Sequence, residues 1–194
     1  MPTIAIIHFS GSGKTKMLAE SIAKGARSVV DTTVHELAIR GNQIKEGRFD
    51  DEAFLAPLDS ADAIIFGTPT YMGGVAAQFK AFVDATGGRW YKQAWQNKLA
   101  GGFTTSGSPS GDKQGTLLYL ATLAAQHGML WVGQTAPNSI YAGAGPEVAT
   151  NRLGSFLGVM SQIAPTPEGV PTAGDRTTGE MYGARLATLV AKRS

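Results

Sequence analysis

Residues 3–9 read TIAIIHF, a continuous β-branched run of strand length that opens directly into SGSGKT. Apolar runs without polar alternation belong to strands buried on both faces, which occur where helices cover both sides of a parallel sheet. After SGSGKT, Leu18, Ile22, Ala26 and Val29 recur at helical spacing, so the unit is strand, loop, helix. The unit repeats. Ala63–Gly67 runs into TPTYMGG and a helix carrying Val75, Phe79, Phe82 and Val83. Leu99–Thr104 runs into TSGSPSGDKQG and a helix carrying Leu117, Ala121, Ala124 and Ala125. Val34–Leu37 supplies a second short strand and Met129–Val132 a fifth.

Between these units, the stretch through Asn42, Lys45 and Asp50 is polar and reads as loop, followed by a short helix near Asp51 to Leu55. Past Gln134 the pattern weakens into a Gly/Pro-rich excursion from Pro137 to Pro171, a candidate subunit-contact element. A last helix spans Tyr182 to Val190. Strand–helix alternation of this kind implies an α/β fold: an open parallel sheet with right-handed crossovers. With 194 residues and no linker separating two cores, residues 1–194 are expected to form a single domain.

Composition removes several function classes. There is no cysteine, so thiolate metal sites, iron–sulfur clusters and thiol nucleophiles are excluded, and no metal site is expected. Redox chemistry would need a bound cofactor. The 17 basic residues nearly balance the 15 acidic ones, which gives no nucleic-acid footprint. No apolar stretch reaches the roughly 18 residues of a membrane span. Met1-Pro2-Thr3 has no basic region of a signal peptide, so the expected location is cytoplasmic. Glycine is in excess, 25 residues of 194 against a usual share of about 7%. The excess falls in loops where backbone could approach a ligand closely.

In an open α/β sheet the ligand sits outside the carboxyl ends of the strands, and three loops leave strands at that edge. Ser10, Gly11, Ser12, Gly13, Lys14 and Thr15 join a buried strand to a helix N-terminus, where unpaired N–H groups and the helix dipole favour a phosphate. A nucleoside-triphosphate P-loop is the competitor. It fails on spacing, because its first glycine would fall at His8, and no strand-end Asp for magnesium follows Ala63–Gly67. In the second loop, Thr68 to Gly74, a flat Tyr71 ring and Gly73–Gly74 leave room for a planar ligand; a tight turn packing Tyr71 on the next helix is equally open. In the third, Thr105 to Gly111, small hydroxyl residues could bond the polar edge of a heterocycle, or form plain surface loop.

Together these segments resemble flavodoxin-like FMN proteins, and more closely the NAD(P)H:quinone oxidoreductases of the tryptophan-repressor-binding-protein type. IIHFSGSGKTKMLAESI is similar to the family's phosphate loop, FGTPTYMGGVAAQFKAFVDATGGRW to its second loop and helix, and KLAGGFTTSGSPSG with LAAQHGM continues the likeness in order. The resemblance implies a five-stranded parallel sheet in the order 2-1-3-4-5. It implies FMN as cofactor, NAD(P)H as donor and a quinone as acceptor, in a homodimer or homotetramer. Ser10 to Thr15 would hold the FMN phosphate. Pro69, Thr70, Tyr71, Met72 and Gly73 would line the isoalloxazine, and Thr105, Ser106, Gly107, Ser108 and Gly111 its other edge. His127 matches a histidine that reaches the flavin, and Trp90 an aromatic that frames the substrate site, often across a subunit interface.

There are departures. His8 replaces an aromatic, Ser12 stands where closer relatives carry a Tyr near the nicotinamide, and the likeness thins past residue 134. His127 also precedes Gly128, where an imidazole can cap a helix C-terminus. His8 reads better as a packed, hydrogen-bonded histidine than a catalytic one, and His35 has no visible partner. Trp90, Tyr91 and Trp95 form a cluster that suits either the site or a dimer contact. Two rivals follow: a non-enzymatic flavodoxin-type carrier, which the net charge of +2 disfavours because such carriers dock through acidic surfaces, and a P-loop-like nucleotide-binding protein.

Overall fold

The computed structural model describes residues 1–163 and 169–193. In chain order its elements are β1 (Thr3–Phe9), α1 (Lys14–Arg27), β2 (Thr33–Ile39), β3 (Ile44–Lys45), β4 (Arg48–Phe49), α2 (Glu52–Ser60), β5 (Ala63–Tyr71), β6 (Gly74–Val75), α3 (Ala77–Ala85), α4 (Gly87–Tyr91), β7 (Leu99–Ser106), α5 (Lys113–Gln126), β8 (Leu130–Trp131), β9 (Val159–Gln162) and α6 (Ala173–Ala191). The main sheet runs β2-β1-β5-β7-β8, all parallel. This is the expected 2-1-3-4-5 order, with helices on both faces.

Alternation along β1 decides which face each side chain serves. Ala5 and Ile7 join Ile64, Phe66, Phe79, Phe82, Leu117 and Leu120 under α2, α3 and α5. Ile4 and Ile6 join Leu18, Ile22, Ile65, Phe103, Tyr182 and Leu186 under α1 and α6. Each such fully buried aliphatic or aromatic side chain contributes about 1.5–3 kcal/mol. Helices α1 and α6 meet backbone to backbone. A Cβ built on Gly25 would lie 1.8 Å from the Glu180 carbonyl oxygen, and one on Gly183 would lie 1.9 Å from that of Ile22.

Several segments depart from the sequence reading: Val75 lies in β6 rather than on the helix that follows, and the last helix begins at Ala173, well before Tyr182. Thr68–Tyr71 belong to β5 rather than to a loop. The strand continues because Thr70 is buried and its Oγ1 bonds the hydroxyls of Thr104 and Thr116, both at 2.8 Å. Likewise β7 runs on to Ser106, so Thr105 and Ser106 are strand residues. The polar stretch after β2 is not plain loop but a 3₁₀ turn, Gly41–Gln43, and the β3–β4 hairpin. The excursion contains β9, which pairs parallel with the carboxyl half of β7 while β8 pairs with its amino half. The fifth strand position is therefore split by the intervening chain. Four residues, flanked by glycine and a bridge residue, are too few for periodicity to reveal.

Candidate functional site

The carboxyl edge of the sheet brings all three loops together. The first ends β1 and turns at Gly13, whose φ of +83° puts it in the left-handed region open to glycine. Gly13 occupies the N-cap of α1 without a capping side chain, and the first turn holds no acidic residue. Ser10 Oγ accepts the Lys16 N–H at 3.2 Å, which fixes the loop against the helix it precedes. The N–H groups of a first helical turn have no intrahelical partner, and the positive end of the helix dipole favours an anion there; Ser10 takes the Lys16 N–H. Gly11, Ser12 and Gly13 are exposed and Thr15 is buried beneath them.

The second loop shrinks to a two-residue turn. Tyr71 pairs with Gly74, leaving Met72 at φ +48° and Gly73 at φ +79°. Positive φ at both central residues defines a type I′ hairpin turn, a geometry normally given to Asn-Gly. Met72 is fully exposed there despite its apolar side chain. Tyr71, half exposed, reaches over the first loop: a Cβ on Gly11 would lie 2.6 Å from the Tyr71 hydroxyl. The two loops thus touch, and the space Gly11 leaves open is the space the tyrosine uses.

The third loop begins at Ser106 and is held from beneath. Lys113, fully buried at the start of α5, donates to Ser106 Oγ at 2.7 Å, to the Ser108 carbonyl at 2.7 Å and to the Pro109 carbonyl at 2.9 Å. From the other side Gln162 of β9 donates to the Gly107 carbonyl at 3.3 Å. Gly111 and Asp112 both adopt positive φ at the turn into α5.

Within one chain the structure does not bring His127 or Trp90 to these loops. His127 caps the C-terminus of α5, which runs back to the amino edge, and the adjacent Gly128 carbonyl accepts the Asn97 N–H near the start of β7. The eight residues of β7 separate the two edges by about 23 Å. His127 is buried, stacks on Trp95 with ring centroids 4.5 Å apart, and pairs Nε2 with Thr86 Oγ1 at 3.0 Å. Burial, aided by Arg89, lowers its pKa to about 4, so it is neutral. Trp90 lies at the same far edge on α4, half exposed beside the more exposed Tyr91. The aromatic cluster is split, because Trp95 is fully buried and its Nε1 donates to Asp59 at 2.8 Å.

His8 is packed at the end of β1, as expected, but it is not hydrogen-bonded as expected: its ring is buried among apolar strand neighbours, and neither ring nitrogen has a hydrogen-bond partner. Burial, with Lys16 nearby, lowers its pKa to about 4. The residues that sequence reasoning missed are Lys113 and Gln162. A signal for Lys113 exists, since a lysine at the first residue of a helix opposes the dipole and needs a reason to be there. Gln162 carries no such signal. Among the described residues there is no cluster of three or more metal-ligating side chains, and no helix is long and apolar enough to cross a membrane.

Strand order and an anion-ready carboxyl edge define a flavodoxin-like α/β protein. Residues 2–141 match the NADPH-dependent FMN reductase family, and the chain belongs to it. It is 40% identical over 192 residues to "Flavodoxin FldP" of Pseudomonas aeruginosa, covering 97% of each chain. It is 31% identical over 205 residues to "NAD(P)H dehydrogenase (quinone)" of Archaeoglobus fulgidus, covering 99% of each. The crystal structure of a flavodoxin, WrbA-like protein from Agrobacterium tumefaciens superposes with a TM-score of 0.74 at 39% identity over the whole of both chains.

Proposed function

We propose that this protein is an FMN-dependent oxidoreductase that moves two electrons from NAD(P)H to a quinone-type acceptor. The observation that carries the reading is the convergence, at one sheet edge, of a helix N-terminus whose first turn holds no acidic residue with two glycine-bearing turns. The cradle fits the cofactor's chemistry. No atom lies within 4 Å of a Cβ built on Gly13, Gly73, Gly74 or Gly107, so the edge is open, and no acidic residue opposes a phosphate in the first turn of α1.

In this reading Ser10 to Thr15 hold the FMN phosphate through hydroxyls and backbone N–H groups. Pro69 to Gly73 and Thr105 to Gly111 line the flavin ring. A bound FMN would supply the hydride and electron chemistry that links a nicotinamide to a quinone. The chain's part is orientation and electrostatics. None of the three loops carries an Asp, Glu or His, so no carboxylate or imidazole of these loops serves as a proton donor or acceptor. Exposed Trp90 and Tyr91 at the far edge would meet a site only in a second copy, which accords with a homodimer or homotetramer.

The test is the visible spectrum of the protein after incubation with FMN and desalting. A flavin spectrum that anaerobic NADH or NADPH bleaches and a quinone restores is the expected result. A colourless protein would overturn the reading. The 40% identical relative bears the name flavodoxin, which favours one other outcome: a flavin spectrum that neither nicotinamide bleaches, the behaviour of an electron carrier.

A further inference from the structure

The buried ammonium of Lys113 has no place in the cradle described above, yet it sits directly under the third loop. Its three N–H bonds match three acceptors, Ser106 Oγ and the carbonyls of Ser108 and Pro109. All three are neutral. A neutral amine would supply only two donors, and the Ser106 hydroxyl, which donates to the Ser108 carbonyl at 3.1 Å, would have to turn from it to meet the lone pair. The arrangement is therefore one for a cation.

Its charge is not compensated nearby. Asp175, also buried, already receives a two-pronged pair from Arg152, Nε to Oδ1 at 2.9 Å and Nη2 to Oδ2 at 3.0 Å, together with the Gln162 N–H at 3.0 Å. No salt bridge to Lys113 is present among the described residues. Lys113, Arg152 and Asp175 together leave one positive charge. It lies at the N-terminus of α5, where the helix dipole is itself positive and the first turn holds no acid. Burial lowers the Lys113 pKa to about 8, with Asp175 raising it and Arg152 lowering it further, while Asp112 beside it is exposed. An unpaired buried cation is costly unless something in the function uses it.

We propose that Lys113 is the positioning residue of the third loop and the fixed positive charge that favours the reduced, electron-rich form of a flavin bound at this edge. The inference rests on the FMN reading above. Two roles follow from one group: its hydrogen bonds set the path of Ser106 to Pro109, and its charge biases the ring that path contacts. Preorganised charge aimed at where negative charge develops stabilises it without reorganisation, and the Lys113 ammonium is itself buried from water. Arg152 and Gln162 form the other side of the support, with Arg152 Nη1 donating to Gln162 Oε1 at 3.2 Å. The chain between β8 and β9 thereby reaches the loop.

The experiment compares wild type with Lys113→Met and Lys113→Gln. It measures FMN affinity by fluorescence quenching and the flavin midpoint potential by equilibration with a reference dye from pH 6 to 9. Both variants should bind oxidised FMN more weakly. They should also lose about tenfold in preference for reduced over oxidised flavin, about 30 mV for a two-electron couple. In wild type the potential should fall more steeply with pH from near pH 8, where oxidised protein begins to lose the ammonium proton, and the variants should lack that bend. Wild-type potential and affinity in both variants would overturn the proposal. So would weaker FMN binding with potential and pH profile unchanged, which would leave Lys113 a scaffold only. The wild-type pH profile needs no variant, so a straight line through pH 8 overturns the electrostatic role even if both substitutions prevent folding. Failure of wild type itself to retain FMN would sink this inference together with the reading beneath it, and is recognised by appearing without any substitution.

Discussion

Replacing Gly183 by Ala tests whether the backbone contact between α1 and α6 governs stability. The added Cβ would lie 1.9 Å from the Ile22 carbonyl oxygen and 2.9 Å from the Ala26 nitrogen, against about 3.4 Å for ordinary contact. Both are backbone atoms, so no side chain can rotate away, and the helices must part by about 1.5 Å. Parting them loosens Leu18, Ile22, Tyr182 and Leu186 together, since all belong to the cluster between these helices and the sheet. Overpacking of this kind costs about 1–3 kcal/mol, and the rigid neighbours place this case at the upper end. Alanine's better helix propensity returns about 1 kcal/mol. The net loss is about 2 kcal/mol, or about 4–8 °C in Tm for a chain of this size. Gly88→Ala is the control, because nothing lies within 4 Å of its Cβ and only the propensity gain remains. Urea denaturation followed by circular dichroism gives both values. A Gly183→Ala midpoint at or above wild type, with an unchanged m-value, would refute the packing argument.

Other outcomes follow from particular residues. Met72→Asn should raise stability by about 1 kcal/mol, because φ +48° strains an ordinary side chain and suits asparagine; differential scanning calorimetry checks it. His127→Ala should destabilise by about 1–3 kcal/mol through loss of the Trp95 stack and the Thr86 bond, while FMN affinity in the monomer is unchanged. His8 has a folded pKa of about 4 against 6.5 unfolded, so the unfolded state binds more protons between those values. The stability His8 contributes is complete above pH 6.5 and is lost as pH falls through 4, with a slope of up to about 1.4 kcal/mol per pH unit. His127 has the same window and direction, so His8→Phe should remove about half of the combined slope in urea titrations from pH 4 to 7.

Much of this architecture was legible before any coordinates. Buried β-branched runs such as TIAIIHF and AIIF have few alternatives, and the loops that leave them fall at one edge by topology alone. What escaped were features decided by contacts distant in sequence. Thr68–Tyr71 look like loop because threonine and proline usually punctuate; hydroxyl partners 34 and 46 residues away draw Thr70 into the sheet. β9 is defined by the strand it meets rather than by its own pattern. His127 and Trp90 show a different limit: motif order places them beside a flavin, while the path of α5 and α4 carries them to the far edge of their own chain. Chain order constrains sequence neighbours; it does not say which copy of the protein completes a site.

The glycine contact between α1 and α6 also sets a timetable. Lys24 and Glu180, which pair across it, are 156 residues apart, so the face that covers the first strand closes only after most of the chain exists. Contacts of such separation must overcome a large loop-closure entropy before they return any stability, and they slow folding. On a ribosome, β1 and the loop after it emerge early, while the surface that α6 will cover stays bare until α6 follows. The nascent protein is then a partly open sheet with an apolar face exposed, the interval in which chaperones would engage it.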